Sequence, residues 1–373
     1  MSRSALADVL PSVVAALGAP VPGPAPTIPL PECERAVVVL VDGLGEQQLA
    51  VRGGHAPFLR TLRGLPDAQV ITSDFPSTTA TSLASLGTGR PPGSHGVVGT
   101  EVLDPARGVL FSELSWDPAV DPRLWQPLPT VFEQAQAAGI SVVRIGPGYF
   151  DGSGLTEAVQ RGGRFVAAAG LDDRVDAAIA ATRSSRRSLV YLYWGDVDKV
   201  GHVHGCRSWQ WGEALALVDA GLRRLTERLP RGTLVVVTAD HGMVDVPFEH
   251  RLDVAAEPDL AAGVRHVGGE ARALHLYCEP GAAGDVLAAW RERLGDRMEI
   301  RARDDAVRDG WFGPVHARVL PRIGDVLAVA ASSVAVVDSR TARPEWLSLV
   351  GLHGARTPEE QLVPLLVTVA GER

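Results

Sequence analysis

The chain has 373 residues, 46% of them hydrophobic and 21% charged, and a formal net charge of −8. That is ordinary globular composition, long enough for one large domain or a domain with an insertion. No Lys/Arg tract or basic helix face stands out, which argues against a nucleic-acid-binding surface, while an anionic substrate stays open if metals supply positive charge locally.

The first segment, Ala5 to Leu17, is apolar but interrupted by Asp8 and Pro11. No apolar run reaches the ~18 residues of a membrane span, so a short N-terminal helix is expected rather than a signal peptide or a membrane anchor. The cysteines Cys33, Cys206 and Cys278 are odd in number and far apart, with no CxxC motif. That suits a reducing compartment, and a cytoplasmic protein is expected. Pro20, Pro22, Pro24, Pro26, Pro29 and Pro31 mark an extended surface linker, so residues 1–34 are expected to be a helix plus linker.

Ala36 to Val41 is a near-continuous apolar run, as in a parallel strand covered on both faces, and it ends in Asp42-Gly43. An Asp at such a place is as often a helix cap as a functional group. Val70-Ile71 leads as a strand into Phe75-Pro76-Ser77-Thr78-Thr79, after which Ala80 to Leu86 has helical spacing. The hydroxyls are either an over-supplied cap or a nucleophile at a helix N-terminus, where backbone N–H groups favour a phosphate. Gly87 to Gly93 ends that helix, and Ser94 to Thr100 forms a loop able to return to the same place.

Residues 101–127 carry no regular pattern, and Trp116 and Trp125 are expected to pack on the core. A helix over 130–138, a strand over 140–146 and helical patterns over 155–183 follow. This alternation argues for a mostly parallel sheet with helices on both faces. Ser188 to Trp194 is the next strand, continuing into Gly195-Asp196-Val197-Asp198-Lys199-Val200-Gly201-His202-Val203-His204. Asp198 and His202 are four apart and share a face on a helical turn, which suits two ligands of one metal. Spacing alone also allows Asp196 with His202 or His204.

A helix over about 208–228 precedes the strand Leu234 to Val237, which ends in Thr238-Ala239-Asp240-His241-Gly242. Asp and His both bind divalent cations, and both are costly to bury unpaired. Adjacent strand residues face opposite ways, so a turn at Gly242 is needed to bring both to one object. Beyond Met243 the pattern loosens. A strand at 273–278, a helix at 285–294 and a strand at 333–337 suggest a small α+β insertion over 245–345, a lid within one catalytic domain spanning 1–373. Gly351-Leu352-His353-Gly354 and a closing strand, Leu362 to Val369, complete the chain.

Asp42, Thr79, Asp198, His202, Asp240, His241 and His353 all lie at strand ends or in adjoining loops, where open α/β sheets place their sites. Six Asp and His ligands suffice for two divalent metals, with zinc the natural choice. Val-Asp-Gly after a strand, Phe-Pro-Ser-Thr-Thr before a helix, Asp-Lys-Val-Gly-His, Ala-Asp-His-Gly and a late His-Gly occur in this order. Together they resemble the alkaline phosphatase superfamily, and within it the type I phosphodiesterases and nucleotide pyrophosphatases.

The resemblance implies an alkaline-phosphatase-like α/β fold and a zinc-dependent hydrolase of small phosphate esters, nucleotides among them. It implies one zinc held by Asp42, Asp240, His241 and the Thr79 oxygen, and a second held by Asp198, His202 and His353. Thr79 would be the nucleophile, passing through a phospho-threonine, with Thr78 as the neighbouring alternative. The family's Phe-Pro-Thr-x-Thr has Ser77 at its first Thr here, and its phosphate-binding Asn is matched by Thr100. A phosphate monoesterase or phosphonate hydrolase is the alternative within enzymes. A terminal phosphate needs a cationic partner, for which Lys199 is the candidate. The sulfatase Cys/Ser-x-Pro-x-Arg motif is missing at the nucleophile turn, the chain is short for a phosphomutase, and a non-catalytic metal-stabilised binding protein is the remote alternative. His55, His250, His266, His275 and His316 are expected on the surface or in the lid, Cys206 as an inert buried thiol, and Trp194, Trp209 and Trp211 in the core.

Overall fold

The computed structural model describes residues 3–19 and 26–372. Its main sheet has seven strands in the order Gln69–Thr72, Leu362–Val369, Leu234–Thr238, Arg35–Val41, Ser188–Trp194, Ser141–Gly146 and Arg164–Ala167. Every pairing on the Arg164–Ala167 side of Leu234–Thr238 is parallel, and Leu362–Val369 runs antiparallel to both its neighbours. Every residue of Ser188–Trp194 and of Leu234–Thr238 is buried. Both faces are therefore covered, which is why these strands are almost uniformly apolar.

The N-terminal helix Val9–Ala16 is part of the core, with Leu10, Val13 and Val14 fully buried. Pro26, Pro29 and Pro31 are exposed, as expected of a surface linker. Pro20, Pro22 and Pro24 lie outside the described residues.

A second, six-stranded sheet is antiparallel throughout, in the order Met298–Ala302, Val326–Ala330, Ala273–Cys278, Val264–Glu270, Glu101–Asp104 and Val109–Ser112. It has its own apolar core, built around Trp290, Phe312, Leu276 and Leu327. Two sequence expectations are corrected by these elements. Residues 101–127 are not irregular throughout: Glu101–Asp104 and Val109–Ser112 form a hairpin and an edge of this sheet. The strands have four residues each, too short for a period to register. The second sheet therefore draws on 101–112 as well as on 245–345. Likewise, 155–183 is not helical throughout. The strand Arg164–Ala167 separates the helices Gly154–Val159 and Leu171–Arg183. Gly163, at φ +69°, makes the turn into that strand, where a Cβ would stand 2.5 Å from the Val142 carbonyl oxygen.

Candidate metal centre and active site

The parallel strands deliver their last residues to one edge of the main sheet. Asp42 follows Arg35–Val41, Asp198 and His202 lie in the helix Asp196–His204 after Ser188–Trp194, and Asp240-His241 follow Leu234–Thr238. Thr79 opens the helix Thr79–Thr88, which follows the strand Gln69–Thr72, and His353 directly follows the short strand Gly351–Leu352. Seven residues spread over more than three hundred positions meet there because of this topology.

Two groups of ligand atoms result. One oxygen or nitrogen from each of Asp42, Asp240 and His241 lies within 4.8 Å of the others, and so does one from each of Asp198, His241 and His353. The rings of His241 and His353 are stacked, with centroids 3.6 Å apart. His202 joins through Asp198, its Nε2 standing 3.3 Å from Oδ1.

The hydrogen bonds fix how these groups face one another. Nδ1 of His202 lies 2.8 Å from the Gly351 carbonyl oxygen, Nδ1 of His241 3.0 Å from that of Gly242, and Nδ1 of His353 3.0 Å from that of Ser77. A carbonyl oxygen can only accept, so each Nδ1 carries the proton and each Nε2 presents a lone pair. Nε2 of His241 nonetheless stands 3.4 Å from Asp42 Oδ1 and 3.5 Å from Asp240 Oδ2. Lone pairs so close to carboxylate oxygens repel unless a cation lies between them. The three carboxylate oxygens concerned, Asp42 Oδ1, Asp198 Oδ1 and Asp240 Oδ2, are buried and have no hydrogen-bond partner. The second oxygens of two of them are engaged: Asp240 Oδ1 accepts from the N–H groups of Gly43 (3.1 Å) and His241 (3.0 Å), and Asp42 Oδ2 from the Tyr193 hydroxyl. Orphaned oxygens facing anchored imidazole lone pairs are a donor set that fits divalent cations.

The titration behaviour of the metal-free site agrees. Burial, then the charges of Asp240 and Asp198, push Asp42 well above the usual carboxylate range. Burial and the charge of Asp198 raise Asp240 to about 7. Burial and the neighbouring imidazoles hold His353 well below the usual histidine value. At His202 burial opposes protonation, but the charge of Asp198, the hydrogen bond to the Gly351 carbonyl and the charges of Glu270 and Asp42 together outweigh it, and the pKa is raised. Three carboxylates packed together need external positive charge to ionise together.

Thr79 Oγ1 stands 3.1 Å from His241 Nε2, at the meeting point of the two groups. Thr78 is fully buried and donates to Thr81 Oγ1 instead. Asp196 and His204 are exposed, so of the pairings that spacing allowed, only Asp198 with His202 reaches the site. A cavity of about 350 Å³ opens above Thr79, lined at its base by Asp198, His202 and His353 and at its sides by the second sheet. Thr100 lines it as well and shares a hydrogen bond with Glu270. Its loop is held by Glu113, which accepts from the N–H groups of Val98 and Gly99 at 2.8 and 3.1 Å.

Lys199 is not brought to the cavity. It is exposed and pairs with Asp196 at 3.3 Å, because on the helix it points away from the face that carries Asp198 and His202. Trp194 and Trp211 are in the core but Trp209 is 71% exposed, and His275 is fully buried within the second sheet. Cys206 is buried, its thiol pushed up to about 12 by burial, as an inert thiol should be. Tyr193 and Glu270 bear on the site without having been singled out from sequence. Nothing in the sequence separates Tyr193 from Ser188 and Tyr191 on the same strand.

Residues 36–356 match the family model for type I phosphodiesterase / nucleotide pyrophosphatase. An uncharacterised pyrophosphatase/phosphodiesterase from Schizosaccharomyces pombe is 27% identical over 212 residues, 52% of this chain and 39% of that protein. A phosphopentomutase from Anaeromyxobacter dehalogenans is 37% identical over 123 residues, 31% of this chain and 28% of that protein. The matches thus span well under half the length of these curated relatives. Among solved structures, murine ectonucleotide pyrophosphatase/phosphodiesterase 5, in an inactive threonine-to-alanine form in complex with AMP, superposes with a TM-score of 0.72 at 18% identity, covering 89% of this chain and 87% of that one. Phosphonoacetate hydrolase from Sinorhizobium meliloti, in complex with phosphonoacetate, gives 0.69 at 21% identity, covering 92% of each. The shared fold is the alkaline-phosphatase-like α/β architecture that the motif resemblance implies, with the mostly parallel, doubly covered sheet expected from the strand pattern. Among the described residues no helix is long and apolar enough to cross a membrane.

Proposed function

The chain belongs to the type I phosphodiesterase/nucleotide pyrophosphatase family, and from that premise we infer that it is a metal-dependent hydrolase of small phosphodiesters with Thr79 as its nucleophile. The observation that carries this reading is the position of Thr79 Oγ1, 3.1 Å from His241 Nε2 and between two groups of buried ligands. Asp42, Asp240 and His241 would hold one divalent cation, and Asp198, His202 and His353 the other. Zinc is the choice that suits an all-Asp/His donor set. Such a pair, when bound, lowers the pKa of the hydroxyl and offsets the charge that builds on the attacking and leaving oxygens.

The chain's own groups do the rest. Nδ1 anchors keep all three imidazoles in one tautomer and orientation. The N-terminus of the helix Thr79–Thr88 offers backbone N–H groups to the phosphoryl oxygens. Thr79 Oγ bonds to phosphorus as the ester oxygen departs as an alcohol, and water then cleaves the phospho-threonine to restore the hydroxyl. The threonine-to-alanine form of the murine neighbour, described as inactive, supports this role. A diester is favoured over a monoester because the extra charge of a terminal phosphate meets no lysine at the cavity, Lys199 being turned outward. The AMP complex of that neighbour makes a nucleotide ester a natural first substrate. Cys33, Cys206 and Cys278 are free thiols, which supports a reducing, cytoplasmic setting.

The test is hydrolysis of bis(p-nitrophenyl) phosphate by the zinc-loaded chain. Chelation is expected to abolish it, and Thr79→Ala to lower kcat by about a thousandfold or more. p-Nitrophenyl phosphate should be the poorer substrate. Full activity in Thr79→Ala would remove the nucleophile assignment, and fewer than two tightly held metals per chain would remove the dinuclear one.

A further inference from the structure

The cavity above Thr79 carries charge of one sign. Its walls are largely apolar, with Val267, Leu274, Val336 and Leu352 among them, and Trp346 at one side. Its charged wall residues are Glu101, Glu270 and Asp338, and among the described residues no lysine or arginine lines it. Arg340 grips Asp338 in a bidentate pair at 2.6 and 2.7 Å, so that carboxylate is already matched. Arg343 is exposed, stacks over Trp346 at 5.2 Å and acts on Glu101 only at a distance.

Glu101 and Glu270 are left without an ion pair among the described residues. Glu101 and Glu270 lie on neighbouring strands, paired through Gly269, and both line the cavity, where Glu270 feels the charge of Glu101. Glu270 shares a hydrogen bond with the neutral hydroxyl of Thr100, which lines the same cavity.

We propose that the organic group seated in this cavity bears no negative charge, that a positively charged group is preferred there, and that Glu101 and Glu270 set this preference. The inference rests on the phosphodiester reading and narrows it. A nucleoside or an aminoalkyl group is admitted. A carboxylate seated there would lie in an apolar pocket beside two carboxylates, with no lysine or arginine among the lining residues to receive it. At a few ångströms and an effective dielectric near ~20, that repulsion exceeds a tenfold effect in binding.

A matched series tests this: the methyl phosphodiesters of 3-aminopropanol, butanol and 3-hydroxypropionate, titrated by calorimetry at low salt into the zinc-loaded full chain carrying Thr79→Ala, which removes turnover. The three differ in charge at nearly constant size, and the methyl group is too small to compete for the cavity. The expected order of affinity is amino, then butyl, then carboxylate, with about tenfold or more between the ends. In Glu101→Gln/Glu270→Gln, which keeps shape, the spread should shrink to about threefold or less. A carboxylate ester that binds as tightly as the amino ester overturns the proposal, and so does a spread unchanged in the double variant. Thermal melting of the variant checks that it is folded. Because calorimetry reads binding without turnover, a lost charge order alongside intact hydrolysis of bis(p-nitrophenyl) phosphate removes only this inference. Absent hydrolysis removes the reading beneath it.

Discussion

At the scale of single residues, the site is shaped as much by what holds the ligands as by the ligands themselves. Tyr193 is the clearest case. Its buried hydroxyl donates to Asp42 Oδ2, leaving Oδ1 as the one free oxygen of that carboxylate. Burial and the charge of Asp42 raise the phenol's pKa well above its usual value, so it remains a donor at any working pH. Tyr193→Phe should weaken zinc binding by about 10- to 100-fold, the range for losing a group that orients a ligand. Competition with a chromogenic chelator measures this, and excess zinc should restore most of the activity. The carboxylates also predict a pH dependence. In the metal-free fold Asp240 holds its proton to about 7, whereas an unfolded chain releases it near ~4. Across that window the folded state binds more protons, so the metal-free protein loses stability as pH rises. Asp42 acts in the same direction. Zinc needs the ionised carboxylates, so the melting temperature gained on adding zinc should grow over the same interval. A zinc increment independent of pH would show that these carboxylates do not bind the metal.

At the scale of elements, a single glycine links two of the ligand-bearing segments. Gly43 follows Asp42 at φ +73°, and a Cβ there would stand 2.9 Å from both Cα and Cβ of Asp198. Gly43→Ala therefore combines a left-handed backbone penalty with a collision that no side-chain rotation relieves. The penalty alone is about 1–2 kcal/mol. Gly152→Ala makes the control, since it has a similar φ of +72° and nothing within 4 Å. Both variants should lose stability in urea unfolding, but only Gly43→Ala should also lose metal, because it displaces Asp198. The same contrast explains which elements were legible in the sequence. Leu234–Thr238, Ser188–Trp194 and Leu362–Val369 are apolar along their length because both faces are buried, and they stand out in the sequence. Val264–Glu270 does not, because it is half exposed and contains Gly268-Gly269, which usually mark a turn. Ligand-type residues at strand ends could be picked out because Asp and His are conspicuous where an apolar run stops. Tyr193 and Glu270 could not: each matters only through a register between strands far apart in sequence, and a chain read from end to end does not contain that register.

At the scale of the whole molecule, two apolar cores, one for each large sheet, have to stay in register for the cavity between them to keep its shape. A buried ion pair ties them together. Arg272, just before the strand Ala273–Cys278, is 1% exposed, and its guanidinium grips the fully buried Glu360 with bonds of 2.8 and 2.7 Å. Arg272 also donates to the carbonyls of Ser332 and Val334, while Glu360 accepts from the Ala355 N–H and the Thr357 hydroxyl. Ala355 lies two residues beyond His353, so the second sheet is coupled through this pair to a candidate metal ligand. Buried pairs are poor sources of net stability, but breaking one strands a charge in the interior. Arg272→Met should therefore cost about 3–5 kcal/mol in guanidinium unfolding. Arg272→Met/Glu360→Leu should recover much of that loss, because no charge is left unpaired. Zinc affinity separates the two roles of the pair. If it only avoids a stranded charge, the double variant regains wild-type affinity; if it also sets the position of His353, affinity stays low while stability returns. The hydrogen bond from Ala355 to Glu360 favours the second outcome, since the double variant removes the acceptor that fixes the turn after His353.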